Sequence, residues 1–190
     1  TAPRTSLAVL AAILIAAALR LWGVGPPPLD FPADRQVTTA LLAEAWSGGR
    51  PLDAYRFHHP SGRSDPRVLM PEAPIVPALA AVVARSLPGD PAAGAVLAAR
   101  LWTVVFSLLT LLLVFDLGRR WFGAGSGLFA AAAFGLLPAS VYFGRALIPD
   151  VPMTAFMAAA LWTGELFVER LRRGQGRFDA RTLAVAGAVA

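Results

Sequence analysis

The sequence lacks cysteine entirely, and it lacks lysine, so its strongly basic residues are all arginine. The absence of thiols excludes a disulfide framework and any metal site built on thiolates. Charge is also scarce: charged residues make up 15% of the chain, whereas soluble globular proteins carry about 25%. Apolar residues account for 56%. A soluble domain of this size would need more charged surface, so the composition predicts an integral membrane protein.

Basic residues outnumber acidic ones, which gives a formal net charge of +5. Positive residues in short loops set the orientation of membrane helices, so this excess does not require a nucleic-acid partner. Arginine, alanine, glycine and proline have GC-rich codons, and we expect a bacterial source. The chain begins with Thr1 and stops inside an apolar run that starts at Thr182. We therefore expect an N-terminal fragment of a longer protein, inactive by itself.

Apolar runs of about 20 residues, long enough for a helix to cross a bilayer, recur along the chain. They predict spans over residues 7–24, 92–117, 125–143 and 151–168, with another beginning at 182. Residues 118–123 and 144–150 are predicted turns. The predicted fold class is all-α, a polytopic bundle of transmembrane helices.

Two shorter helices are predicted between the first two spans, over residues 34–46 and 75–87. The first has apolar residues at helical spacing on one face. The second would be about 20 Å long, which is too short to cross a hydrocarbon core of about 30 Å. We interpret both as juxtamembrane helices, and residues 50–70 as an exposed loop.

The arginines predict an orientation. The positive-inside rule places Arg119, Arg120 and the cluster over 170–177 in the cytoplasm, with two spans between them. If residues 75–87 do not cross, residues 25–91 and 144–150 share the outer face. Charged residues of these two segments can then meet in one outer cavity: Asp30, Asp34, Glu72, Arg145 and Asp150.

Each polar candidate also has a structural interpretation. Asp34 and Asp150 begin helices, where the helix dipole favours a carboxylate by about 0.3–1 kcal/mol. Arg100 and Arg145 can extend their charged ends to the membrane interface. The functional alternatives are a carboxylate that acts as a general base and an arginine that binds a phosphate.

Taken together, the motifs follow the order of a known family. They are Asp30-Phe31-x-x-x-Arg35-Gln36, Pro71-Glu72-Ala73-Pro74, Ala98-Ala99-Arg100-Leu101-Trp102, Leu117-Gly118-Arg119-Arg120-Trp121-Phe122-Gly123, and Tyr142-Phe143-Gly144-Arg145 followed by Pro149-Asp150. This series resembles the GT-C glycosyltransferases. Within them it is most similar to the dolichyl-phosphate-mannose protein mannosyltransferases and the bacterial aminoarabinose transferases. Members of this family also have two juxtamembrane helices in the first outer loop.

The resemblance implies an inverting transferase on the outer face of the bacterial inner membrane. It would move a sugar from a polyprenyl-phosphate carrier to a hydroxyl of a protein, lipid or glycan. The implied catalytic carboxylates are Asp30, Asp34 and Asp150, and the implied substrate-binding residues are Arg35, Glu72, Arg100 and Arg145. Many members have an adjacent Asp-Glu pair in the first loop, whereas here two aspartates are separated. The sequence leaves open which of them is the base, and the Asp-Phe spacing favours Asp30.

The motifs require no cofactor, although a divalent metal is compatible with them. The candidate ligands are Glu72, His58 and His59, the two histidines being more typical of a loop. An alternative function is a transporter or channel subunit whose outer acids bind a cation. That class places broken helices and charges near the membrane midplane, whereas these acids cluster at one interface. A non-catalytic membrane scaffold is a third alternative.

Overall fold

The structure, a computed structural model, describes residues 2–22, 24–25, 31–50, 56–58, 64–68, 73–86, 89 and 91–172. Of residues 2–6, 56–58, 64–68 and 92–93 it describes the backbone alone. These parts of the chain form helices and one pair of short strands, which confirms the predicted all-α class. The predicted span from residue 182 onward lies outside the described residues.

The elements follow one another in a simple order. They are α1 (Ala2–Leu21), α2 (Ala33–Ser47), β1 (Arg56–His58), β2 (Ser64–Val68), α3 (Ile75–Ser86), α4 (Pro91–Phe122), α5 (Ala124–Leu136), α6 (Pro138–Phe143) and α7 (Asp150–Arg172). Strands β1 and β2 pair antiparallel, with Arg56 opposite Val68 and His58 opposite Ser64. The prediction of an exposed loop over 50–70 did not include these two strands. Strands of three and five residues are too short to show a periodic pattern.

Helix α4 is the centre of the bundle and contacts α1, α2, α3, α5 and α7. Its 32 residues extend about 48 Å, more than the thickness of a hydrocarbon core. The helix continues through Gly118, so the predicted turn over 118–123 is wrong for most of its length. The chain reverses at Gly123, whose φ of 92° is accessible mainly to glycine.

The predicted single helix over 125–143 is also wrong, because the chain breaks between α5 and α6. Leu137 has φ −59° and ψ 123°, outside the helical region. Pro138 explains the break, since proline lacks an N–H and disfavours helical geometry in the residue before it. The last carbonyls of α5 consequently need other donors.

Alanines form most of the contact surface among α2, α3 and α4. Those buried in this cluster are Ala40, Ala43, Ala80, Ala84, Ala95, Ala98 and Ala99. Small side chains let helix backbones approach closely, which is how helices associate in a membrane. A second cluster, in which Ala16, Leu111 and Ala131 are buried, joins α1, α4 and α5.

By length and apolar composition, α4 over 94–122 and α7 over 150–172 can each cross a membrane. The apolar stretches in α1, α3 and α5 are shorter, covering Leu7–Leu21, Ile75–Ser86 and Ala124–Leu136. The 12 residues of α3 extend about 18 Å, less than a hydrocarbon core. Instead of standing alone, α3 packs against α2 and α4.

Candidate active site

One end of the bundle brings together the start of α2, the turn over 144–149 and the start of α7. The Nη1 atom of Arg35 lies 4.0 Å from Oδ2 of Asp150, and both side chains are about half exposed. An exposed ion pair at this distance contributes little to stability. The pair therefore places opposite charges side by side in a position that solvent and substrate can reach.

A buried hydrogen bond fixes this arrangement. The backbone N–H of Leu147 donates to Oε1 of Gln36 over 3.2 Å, and both residues are buried. Gln36 follows Arg35 in the chain, and Leu147 precedes Asp150 by a few residues. This hydrogen bond holds α2 and the 144–149 turn together, and so keeps the two charged residues close to each other.

Two of the three arginines predicted to bind substrate, Arg100 and Arg145, contact the segment that follows α1. Arg100, which is buried, donates through Nη1 to the carbonyl of Val24 over 2.8 Å. Arg145 donates through Nη1 to the carbonyl of Trp22. Both side chains thus hold the end of α1 at the same end of the bundle as Asp150.

Tyr142 adds a contact to the first loop, since its hydroxyl donates to the carbonyl of Phe31. The guanidinium of Arg145 lies 6.0 Å from the centroid of the Tyr142 ring, within the range of a cation–π interaction. In the sequence, Tyr142 belongs to a motif that assigns it no role of its own. In the structure it joins the first-loop segment to the segment before α7.

Asp150 lines two cavities. The apolar cavity, of about 460 Å³, lies between the start of α3, part of α2, and α7. The hydroxyl pocket, of about 330 Å³, lies among α4, α5, α6 and α7. Ile148 also lines both. Among the described residues that line either cavity, Asp150 is the only one with an ionisable side chain.

The apolar cavity continues along one face of α7. Met153, Phe156, Met157 and Ala160 line it, at the spacing of one helix face. The three larger side chains are partly to well exposed. A surface of this kind suits a hydrocarbon chain, since it offers no polar group that the chain would leave unpaired.

Arg20 is the residue whose role the sequence analysis missed. Its side chain is completely buried, and it donates to Ser107 on α4, to carbonyls of Phe134 and Gly135 at the end of α5, and to Ser140 on α6. It therefore satisfies carbonyls that the break at Leu137 leaves without helical partners. A charged residue inside an apolar span is the signal that could have identified it.

The opposite end of α4 and α7 carries a separate ionic network. The carboxylate of Asp116 accepts from Arg119, Arg120 and the indole N–H of Trp162, the last over 2.8 Å. Arg120 also lies 2.8 Å from Glu169. The predicted cytoplasmic arginines thus lie at the end of the bundle away from Asp150, and they join α4 to α7.

The remaining predicted residues divide into two groups. Asp34 is exposed in the first turn of α2, next to Arg35. Asp30, Glu72 and His59, as well as the side chain of His58, lie outside the described part of the structure. Within the described part, no three His, Cys, Asp or Glu side chains are placed to hold a metal ion together.

The profile of the dolichyl-phosphate-mannose-protein mannosyltransferases matches residues 72–188, which is more than half of the chain. The chain belongs to this family. The family is one of membrane glycosyltransferases that use a polyprenyl-phosphate sugar donor. The matched range contains Arg100, Arg145 and Asp150, whereas Asp30 and Asp34 precede it. No curated protein and no solved structure shows a significant match to the chain.

Family membership favours a transferase over the alternative of a transporter. The structure does contain a broken helix, α5–α6, and a buried charge, Arg20, features that transporters also use. The carboxylate that lines the cavities, however, lies at the start of α7. It is therefore at one end of the bundle, as the sequence analysis predicted for a transferase.

Proposed function

We propose that this chain carries the donor site of an inverting glycosyltransferase that acts on the outer face of the membrane. The supporting observation is that Asp150 lines both the apolar cavity and the hydroxyl pocket. A transferase of this kind must bring a lipid tail, a phosphate, a sugar and a carboxylate to one point. The surroundings of Asp150 offer a suitable surface for each of them.

The reaction is a single displacement. The acceptor oxygen attacks the anomeric carbon on the face opposite the phosphate, and the bond from that carbon to the phosphate oxygen breaks. Polyprenyl phosphate leaves with the electron pair, and the proton of the acceptor hydroxyl passes to a carboxylate. One displacement inverts the configuration at the anomeric carbon.

We assign the proton to a first-loop carboxylate, Asp30 or Asp34, both of which precede α2 or lie in its first turn. Asp150, next to Arg35, binds the acceptor hydroxyl and stabilises the positive charge that develops on the sugar. Glu72, which precedes α3 in the chain, remains a proposed contact of the substrate. The acceptor is a hydroxyl of a protein, lipid or glycan.

The donor phosphate is assigned to Arg145. A guanidinium has five N–H donors, so the contact of Arg145 with Trp22 leaves donors for a phosphate. Arg100 is buried against Val24 and suits a positioning role better. The apolar cavity then holds the first isoprene units of the carrier.

The test is transfer of labelled sugar from polyprenyl-phosphate-mannose by the full-length protein in lipid nanodiscs. Asp150→Asn should lower kcat about 10²–10³-fold, since a group that stabilises transition-state charge is lost. Glu165→Gln, on the same helix α7, is the matched control and should retain activity. Product analysis by NMR should show an inverted anomeric configuration. Normal turnover by folded Asp150→Asn would refute the assignment.

A further inference from the structure

The hydroxyl pocket carries polar groups on three separate elements. Ser107 and Thr110 come from α4, Ser140 from α6 and Thr154 from α7, and Asp150 also lines the pocket. At about 330 Å³, the pocket is at the small end of the range for ligand sites. Its size suits one small ligand, and its hydroxyls determine which chemistry that ligand must have.

Two of these hydroxyl groups accept hydrogen bonds from Arg20. Its Nε donates to Oγ of Ser107 over 2.8 Å, and its Nη2 donates to Oγ of Ser140 over 2.9 Å. An arginine has donors only, so each serine oxygen accepts from the cation. Neither serine hydroxyl donates to another residue in the described part of the chain. Their protons are available to a ligand, and the adjacent cation strengthens them as donors.

The two threonines show the opposite pattern. The hydroxyl of Thr110 donates to the carbonyl of Phe106 over 2.9 Å, and that of Thr154 donates to the carbonyl of Asp150 over 2.7 Å. Their protons are thus engaged by backbone, and their oxygens can accept. The pocket therefore offers two donors, two acceptors and a carboxylate within one small volume.

This pattern matches a sugar ring better than a phosphate. A ring hydroxyl both donates and accepts, so it can pair with serines, threonines and carboxylate together. A phosphate only accepts hydrogen bonds, so it would leave the acceptor oxygens of Thr110 and Thr154 without donors. Phe134, Phe143 and Val151 supply apolar walls for the C–H faces of a ring.

We propose that the hydroxyl pocket binds the sugar ring of the donor, with Ser140 and Ser107 donating to it and Thr110 and Thr154 accepting from it. This inference rests on the proposed function, because it divides the donor between two cavities: the tail in the apolar one and the sugar in the other. Arg20 is a positioning residue that acts through the two serines. Gly144 closes the pocket beside them, since a Cβ there would lie 2.6 Å from Oγ of Ser107.

Binding measurements separate the two cavities. The full-length protein in nanodiscs is titrated with sugar-free polyprenyl phosphate and with the same carrier bearing mannose, glucose or arabinose. The variants are Ser140→Ala and Thr154→Val, which alter partly exposed positions on different elements and are compatible with folding. Ser140→Thr should restore binding because it keeps the hydroxyl. Ser126→Ala, at the opposite end of α5, is the matched control.

Ser140→Ala and Thr154→Val should each weaken binding of the preferred sugar-bearing carrier about two- to tenfold, the effect of one hydrogen bond. Binding of the sugar-free carrier should be unchanged. Equal losses for both ligands, or no loss for either, would overturn the pocket assignment. If these variants are normal while Asp150→Asn abolishes transfer, this inference alone fails. A different outcome would refute the proposed function as well. In that case the wild-type protein transfers no sugar, and it binds the sugar-bearing carriers no more tightly than the sugar-free carrier.

Discussion

Arg35 and Asp150 lie 4.0 Å apart at one end of the bundle, although they belong to α2 and to α7, the last described helix. Their own attraction is too weak to hold them there. The buried hydrogen bond from Leu147 to Gln36, together with the alanine contacts among α2, α3 and α4, holds the two elements in place. The ion pair is thus free to rearrange when a charged substrate enters.

The two first-loop carboxylates should respond differently to neutralisation. Asp30→Asn and Asp34→Asn each remove one candidate base, and a general base contributes about 10²–10⁴-fold in rate. We expect one variant to lose kcat by about that factor and the other to lose far less. The measurement is labelled-sugar transfer with folding verified by thermal melting. If both variants turn over normally, neither carboxylate is the base.

Removing the charge of Arg20 should destabilise the bundle strongly. Arg20→Met leaves Ser107, Ser140 and the carbonyls of Phe134 and Gly135 without their buried donor. Each orphaned polar group costs about 1–3 kcal/mol, so we expect Tm in detergent to fall by many degrees. Arg172→Met is the control, because Arg172 is exposed at the end of α7. A variant that melts like the wild type would show that the hydrogen-bond network is dispensable.

The contact between α4 and α5 depends on glycine at one position. A Cβ at Gly127 would lie 2.6 Å from the carbonyl oxygen of Phe115, whereas a Cβ at Gly125 would meet nothing within 4 Å. Gly127→Ala should therefore separate the helices and destabilise the protein by about 1–3 kcal/mol. Gly125→Ala should be neutral or slightly stabilising, because alanine favours helix. Thermal melting of both variants in the same detergent compares them; equal Tm values would contradict the close approach.

Membrane orientation is testable at two serines. We predict that residues 25–91 are outside and that Arg119 and Arg120 are inside. Single cysteines at Ser61 and Ser126 introduce one thiol on each side, since the natural chain has none. An impermeant maleimide applied to intact cells should label the first and not the second until the membrane is opened. Equal labelling at both positions in intact cells would refute the topology.

Several elements could be predicted from the sequence because their causes are local. Helices α2 and α3 follow from apolar spacing and from glycine and proline at their ends. The break at Leu137 also has a local cause, Pro138, but the apolar run around it concealed the break. Gly118 and the two arginines after it concealed the continuation of α4, because glycine often marks the end of a helix, whereas here Gly118 lies close to Gly127.

The site was less predictable because its contacts are not local. Asp150 was a candidate on chain order and resemblance, but its position between two cavities depends on how α3, α6 and α7 pack. The partners of Arg20, Arg100 and Arg145 are largely backbone carbonyls, which any residue can supply. Such partners leave no signature in the sequence.

The partners of Arg20 also impose an order on biosynthesis. Helix α1 leaves the ribosome before α5 and α6, and the carbonyls of Phe134 and Gly135 and the hydroxyl of Ser140 are synthesised more than a hundred residues after Arg20. Arg20 lies in the last turn of α1, and burying its charge without partners is costly. Until α5 and α6 emerge, α1 must keep this charge near the membrane surface or inside the translocon. Helix α1 can therefore reach its final position in the membrane only after α5 and α6 have been synthesised.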